Sequence, residues 1–220
     1  MNGPGSDGLV VVAATDREAA PFRDRGLRVV VSGVGRVNAA VATTLAVTSG
    51  STPPMVVSAG IAGVLPSRDG FVSSPAIGSI VIGDRAVYAE EGMISGDGFT
   101  TISDMGFPVA TFAQGNSILP DSDALNRLRK SVPEALVGSI ATVATCSGTD
   151  GLAKEIATRT GAVAEAMEGA AVIHAARLLG AAAVEIRTIS NRTGDRERQG
   201  WDLEAAIVAL DTVAIALAAD

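Results

Sequence analysis

The chain has 220 residues, of which 47% are hydrophobic and 19% charged, and its net charge at neutral pH is −7. This composition excludes a disordered chain, and no basic stripe is present to favour a nucleic-acid partner. A single cysteine and a single histidine exclude a disulfide framework and a Cys/His metal cluster. We therefore expect no metal and no cofactor, and we assign any acid–base chemistry to carboxylates.

Two sequence features bear on location. The N-terminal MNGPGSDG is polar and lacks the basic start and apolar core of a secretory signal. The apolar runs also fall short of the ~20 residues that a membrane-spanning helix needs. We expect a cytoplasmic protein with no membrane partner.

Short apolar runs alternate along the chain with alanine-rich stretches. Strands are predicted at 9–15, 27–33, 55–60, 78–90, 139–145 and 182–190, and helices at 35–50, 121–132, 165–180 and 203–220. Apolar strands that alternate with helices indicate an α/β fold whose central sheet is covered on both faces. No linker or repeat interrupts this pattern, so we predict a single domain over residues 1–220.

Three polar residues stand next to apolar segments where a functional site is expected. Glu18 follows the first strand, Asn191 follows the last, and Glu168 lies in the apolar run EAMEGAAVIHAARLLG. On a helix, most neighbours of Glu168 would be alanine or valine, and a buried carboxylate needs a partner. The alternatives are an exposed helical glutamate beside Glu165, a first-turn glutamate for Glu18, and a turn residue for Asn191. Taken one at a time, the residues leave these alternatives open.

Other motifs carry less information. SGVGRVN is a GxG turn before a helix but lacks the third glycine of a dinucleotide fingerprint, so a tight turn is favoured over a phosphate cradle. Ser58 lacks the preceding glycine of a nucleophile elbow. Cys146 and His174 would form a dyad only by coincidence of folding, and we interpret them as a small buried cysteine and an ordinary helical histidine.

In chain order, AATDRE, SGVGRVNAA, AGIAGVL, IGSIVIGD, AMEGAA and RTISN resemble the purine nucleosidase/phosphorylase family over nearly the whole chain. The sequence is most similar to the branch of 5'-methylthioadenosine/S-adenosylhomocysteine nucleosidases and futalosine hydrolases. This resemblance implies a three-layer αβα sandwich with a mixed central sheet, of the nucleoside phosphorylase/hydrolase type. It also implies a small-molecule nucleoside substrate and a homo-oligomer, a dimer or larger.

The resemblance implies a role for each candidate residue. Glu168 would accept hydrogen bonds from the ribose 2'- and 3'-hydroxyls while Met167 packs against the sugar. Glu18 would deprotonate the attacking water, and Asn191 would meet the purine near N7. These types suit a reaction that builds positive charge on the sugar and negative charge on the base. The backbone of the GIAG loop would pass along the nucleoside, which adds Gly60, Ile61, Ala62 and Gly63.

Two departures from the family narrow the expected reaction. Phosphorylases hold phosphate with arginines in the first loop and before the glycine-rich loop, where this chain has Glu18 and, as the nearest cations, Arg17 and Arg23. Hydrolysis is therefore favoured over phosphorolysis. Adenine-specific nucleosidases carry aspartate where this chain has Asn191, whose amide can donate to N7 and O6 of a 6-oxopurine. That indicates futalosine, whose base is hypoxanthine; the alternatives are a methylthioadenosine/S-adenosylhomocysteine or aminofutalosine nucleosidase, a phosphorylase, or a binding protein without catalysis.

Two parts of the expected site lack an assigned residue. The loop TCSGTDG has no aromatic side chain to stack on the base, and the candidates are Phe99 and Phe107, either of the same chain or of a neighbouring subunit. Any of Arg192, Arg196 and Arg198 could meet the carboxylate of the substrate. The same arginines also fit a solvated helix start.

Overall fold

The structure is a computed structural model that describes residues 8–67, 71 and 73–219. Residues 1–7 lie outside this range. They make up most of the polar N-terminal segment MNGPGSDG, which the sequence analysis does not expect to be a secretory signal. Among the described helices, none combines the length and the apolar character needed to cross a membrane.

Strands and helices alternate along the chain as the apolar pattern predicts. The strands are β1 (Leu9–Ala13), β2 (Val29–Val31), β3 (Met55–Val64), β4 (Ile80–Tyr88), β5 (Gly92–Ser95), β6 (Gly98–Thr101), β7 (Ser117–Ile118), β8 (Leu136–Thr142), β9 (Ala164–Ala166) and β10 (Ala183–Arg192). The helices are α1 (Asp16–Arg23), α2 (Arg36–Thr48), α3 (Ser122–Ser131), α4 (Asp150–Thr160), α5 (Gly169–Leu178) and α6 (Leu203–Ala219).

The central sheet is mixed and partly closed on itself. Its strand order is β10-β4-β8-β9-β3-β1-β2, and β3 pairs in addition with β10. The strands β3, β10, β4, β8 and β9 thus pair in a ring, from which β1 and β2 extend. The β3–β10 pair is parallel, whereas β10–β4 and β3–β9 are antiparallel.

Helices cover both faces of this sheet. On one face, Phe22 of α1, Leu128 of α3 and Leu210 of α6 pack in one apolar cluster with sheet residues. On the other face, Ala39 of α2 and Ile173 of α5 belong to a second cluster. The predicted three-layer α/β sandwich with a mixed sheet is confirmed.

Two predicted boundaries are wrong at the places where candidate residues lie. Strand β3 does not end at residue 60, so Gly60–Gly63 is strand rather than loop, because β10 pairs with it as far as Val64. The helix predicted at 165–180 begins at Gly169. The residues before it form β9, which pairs with both β3 and β8, and three residues are too few to show a period of two.

Glu165 is therefore not an exposed helical residue. It lies in β9, is 5% exposed, and accepts hydrogen bonds from the backbone N–H and the hydroxyl of Ser147 at 2.7 and 2.6 Å. Glu168 stands at the N-cap of α5 and not on a helical face. The prediction that Glu168 is buried is confirmed. The apolar helical neighbours from which it was predicted are not the reason, because Glu168 precedes the helix.

Candidate active site

The candidate residues of the sugar end meet where β1, β3, β10 and two helix N-termini come together. Glu18 is the third residue of α1 and Glu168 caps α5, and both are 5–6% exposed. Between them lies Arg187 of β10, which is 1% exposed. The structure thus brings together two predicted carboxylates and one arginine that the sequence analysis did not assign.

Glu18 is held by three hydrogen bonds. Its Oε2 accepts from the backbone N–H and the hydroxyl of Thr15 at 3.0 and 2.7 Å, which completes a capping box for α1. Its Oε1 accepts from the backbone N–H of Ile61 at 2.9 Å. Glu18 is therefore a first-turn glutamate, as one alternative predicts. The same carboxylate is also held in place at the candidate site by its bond to Ile61.

Gly60 lets the side chains of Glu18 and Arg187 approach the backbone of β3 closely. A Cβ at this position would lie 2.5 Å from Glu18 Oε1 and 2.6 Å from Arg187 Nη1. Both side-chain atoms therefore occupy the volume that a side chain at position 60 would need. A larger residue at position 60 would fill that volume and displace one of the two groups.

The carboxylate of Glu168 is shared between a helix start and the arginine. One oxygen accepts from the backbone N–H of Gly35 at 3.0 Å, and the other from Arg187 Nη1 at 3.3 Å. Gly35 has φ of 96°, a conformation that glycine adopts at no steric cost. The GxG turn therefore binds an anion through its backbone. That anion is the carboxylate of Glu168 in the same chain.

Arg187 is the centre of the charged cluster. Its Nε donates to Glu185 Oε1 at 2.8 Å and its Nη2 to the hydroxyl of Ser58 at 3.3 Å. Burial alone would lower the pKa of Arg187, but the nearby carboxylates of Glu185, Glu168 and Glu18 raise it above its usual value. An arginine inside an apolar strand requires a buried acidic partner, and that signal was present in VEIRTISN.

The cations considered for phosphate binding lie elsewhere. Arg17 is exposed, and Arg23 pairs with Asp16 at 2.8 Å on the surface of α1. The buried guanidinium of Arg187 already faces the three carboxylates of Glu185, Glu168 and Glu18. A phosphate dianion placed here would meet more negative than positive charge, which is unfavourable at short range.

Asn191 is 4% exposed and its amide is oriented by two neighbours. Its Oδ1 accepts from the hydroxyl of Ser190 at 2.9 Å, and its Nδ2 donates to the backbone carbonyl of Arg192 at 2.7 Å. A Cβ on Gly63 would lie 3.2 Å from Nδ2. Because an amide nitrogen carries two hydrogens, one N–H donor remains for a ligand.

The charged cluster and the amide lie along one strand pair. In the β3–β10 ladder, Gly60 is paired with Arg187 and Gly63 with Asn191. Three residues of strand correspond to about 10 Å. The charged cluster and the amide are thus set apart along one strand pair.

Cys146 and Met167 lie together, whereas His174 lies elsewhere. The interpretation of Cys146 as a small buried cysteine is wrong, because the residue is exposed. Met167 is half-buried, and its sulfur lies 3.7 Å from that of Cys146. Although Cys146 is exposed, partial desolvation of its thiol, followed by the charges of Glu165 and Glu168, raises the pKa of that thiol. His174 instead contacts the hydroxyl of Tyr88 at 3.1 Å, so no Cys–His dyad forms.

The remaining candidates are accounted for by surface contacts. Phe99 lies under the guanidinium of Arg159, 3.8 Å from ring centroid to Cζ, while Phe107 is 65% exposed. Arg198 pairs with Asp150 and Asp195. Arg192 lies over the Phe71 ring and Arg196 over Trp201. Within the described ranges, no group of three or more His, Cys, Asp or Glu side chains is arranged to hold a metal ion.

Comparison with known proteins agrees with this fold. Residues 23–219 match the family described as the phosphorylase superfamily, and the chain belongs to that superfamily. It is 35% identical over 190 residues to a futalosine hydrolase of Streptomyces coelicolor, covering 84% of this chain and 75% of that protein. It is 39% identical over 153 residues to a futalosine hydrolase of Acidothermus cellulolyticus, covering 68% and 61%.

A solved structure shares the fold at lower sequence identity. The 5'-methylthioadenosine/S-adenosylhomocysteine nucleosidase of Colwellia psychrerythraea, in complex with adenine, superimposes with a TM-score of 0.77 at 22% identity. The match covers 97% of this chain and 95% of that one. The resemblance noted in the sequence is confirmed.

Proposed function

We propose that this chain cleaves the N-glycosidic bond of futalosine with water, releasing hypoxanthine and dehypoxanthine futalosine in menaquinone biosynthesis. It is an N-glycosyl hydrolase, in agreement with the relatives named above. The observation that carries the proposal is the buried cluster of Glu18, Arg187 and Glu168, in which Glu18 and Arg187 pack against the backbone at Gly60. We also propose that the chain acts as one domain, because residues from α1 to β10 contribute to this cluster.

At the sugar end, the cluster can hold a water and stabilise a cation. A water bound by Arg187 and Glu18 would accept a hydrogen bond from the guanidinium and donate one to the Glu18 carboxylate, which takes its proton as the new bond to the sugar forms. Glu168 would accept from the ribose hydroxyls. The carboxylates exceed the cations in number here, and a net negative site favours the positive charge that develops on the sugar.

At the base end, Asn191 discriminates between purines. Its free N–H can donate to N7 or O6 of hypoxanthine without any change of protonation. Met167 would pack against the sugar, and the backbone of Gly60, Ile61, Ala62 and Gly63 would pass along the nucleoside between the charged cluster and Asn191. An adenine-type substrate is the alternative that the solved structure in complex with adenine suggests, and the amide at position 191 argues against it.

Base release should proceed at full rate in phosphate-free buffer and yield the free sugar. The reason is that the buried Arg187 already faces carboxylates, while Arg17 and Arg23 point to solvent. The measurement is hypoxanthine release from futalosine across a phosphate titration, with product analysis. An absolute phosphate requirement with a sugar 1-phosphate product would contradict hydrolysis.

The chain should form a homo-oligomer, a dimer or larger. Helix α2 exposes Val37, Val41 and Leu45 at 78%, 55% and 65%, and their spacing of four residues places them on one face. An apolar stripe of this kind marks an interface. A neighbouring subunit would also supply the aromatic ring for the base, with Phe107 free to do so. Light scattering should give a dimer mass or larger; a stable monomer with full activity would contradict this proposal.

A cytoplasmic location completes the proposal. The exposed thiol of Cys146 is free, as expected of a reducing compartment. Cell fractionation that placed the protein outside the cytoplasm would contradict this assignment.

A further inference from the structure

Glu185 is a buried carboxylate that the proposed reaction does not use. It is 0% exposed and lies on β10, two residues before Arg187. Its Oε1 accepts from Arg187 Nε, and its Oε2 has no hydrogen-bond partner in the described part of the chain. Burial raises the pKa of Glu185, and the adjoining guanidinium opposes that shift. A carboxylate in this position is costly, so its contact with Arg187 requires an explanation.

The absence of a side chain at Gly169 makes room for the carboxylate of Glu185. A Cβ on Gly169 would overlap the carboxylate carbon and both carboxylate oxygens of Glu185. Gly169 has no positive φ, so its backbone conformation does not require glycine. It is also the first residue of α5, within a helix where alanine is the more favourable residue. The glycine in MEGAA therefore serves the side chain of Glu185.

We propose that Glu185, accommodated by Gly169, is a positioning residue that anchors Arg187 through Nε and leaves Nη1 facing Glu168 and Glu18. The guanidinium is surrounded by several carboxylates, and without the anchor its donors would turn toward Glu168 and Glu18. Both carboxylates would then be neutralised by pairing. With the anchor, Glu168 has only one contact with the guanidinium, at 3.3 Å, and stays available to the ribose.

This inference rests on the proposed hydrolysis and is tested by moving the anchor alone. Glu185→Val removes it, and Gly169→Ala displaces it while Glu18, Glu168 and Arg187 are all retained. We expect kcat to fall by up to ~10²-fold, the effect of a misplaced reacting group. KM should rise much less, because the Gly35 N–H still holds Glu168. Gly151→Ala in the first turn of α4, where a Cβ meets nothing within 4 Å, is the matched control and should keep kcat.

The double variant Gly169→Ala/Glu185→Val separates positioning from stability. The added methyl occupies part of the space left by the carboxylate, so its Tm should exceed that of either single variant. Its kcat should nevertheless stay at least ~10-fold below wild type, because Arg187 still lacks its anchor. Recovery of kcat together with Tm would overturn the proposal, as would wild-type kcat in Gly169→Ala.

Each failure has its own signature. If Glu185→Val does not fold, Gly169→Ala and the double variant decide the matter by the same two criteria. The kcat of each variant is compared with that of the wild type on whichever nucleoside the wild type cleaves. A wild type that cleaves no nucleoside defeats the proposed function and this inference with it, whereas an active wild type with unaffected variants defeats this inference alone.

Discussion

Replacing Glu18 by glutamine should lower kcat by roughly 10²–10⁴-fold, the range for loss of a general base. Glutamine keeps the shape and can still accept from Thr15, since either residue completes a capping box. The fold should therefore survive, and the loss should report on proton removal from water. The measurement is kcat and KM for base release, with Tm recorded for the same preparation.

Two comparisons make this result specific. Asp16→Asn changes a carboxylate in the same helical turn, but one that is 83% exposed, and it should leave kcat unchanged. Glu168→Gln should raise KM and also lower kcat, because its contacts to the ribose strengthen as charge develops. Near wild-type kinetics in folded Glu18→Gln and Glu168→Gln would show that the site assignment is wrong.

Asn191→Asp should reduce the preference for a 6-oxopurine over a 6-aminopurine. An ionised aspartate would face N7 and O6 with lone pairs only, and a mispaired polar group in a closed site costs about 1–3 kcal/mol. We therefore expect kcat/KM on futalosine to fall at least ~10-fold, with a smaller gain on aminofutalosine. The measurement is the ratio of kcat/KM for these two substrates in wild type and variant.

The same substitution should also lower Tm, because Nδ2 of Asn191 donates to the carbonyl of Arg192 and an aspartate oxygen cannot. Asn126→Asp on the exposed face of α3 makes the same chemical change far from β10, and it should alter neither the substrate ratio nor Tm. If the ratio stays the same in folded Asn191→Asp, Asn191 does not choose the base.

The sequence predicts the layers of the fold because they follow from local patterns. Continuous apolar strands such as β1 and amphipathic stretches such as α6 require a sheet covered on both faces. The ring of five strands could not be predicted in this way. It depends on β9, whose three residues carry no period, and on β3 pairing with β1, β9 and β10 together.

The site was predictable as a set of residue types and less so as a set of contacts. Glu18, Glu168 and Asn191 stand out beside apolar segments, and the structure buries all three. Their hydrogen bonds come from distant backbone, as in Gly35 with Glu168 and Ile61 with Glu18. Contacts across more than 40 residues leave no local pattern. Arg187 was detectable as a cation inside a buried strand, and its pairing with Glu185 is the two-residue spacing of one strand face.

The most direct test of the proposed function compares substrates in the unmodified protein. Initial rates of base release should be measured on futalosine, aminofutalosine and methylthioadenosine at matched concentrations in phosphate-free buffer. We predict that kcat/KM for futalosine exceeds that of either 6-amino substrate by at least ~10-fold, the discrimination expected when a buried amide is mispaired. A preference for a 6-amino substrate, or no cleavage of futalosine, would contradict the account.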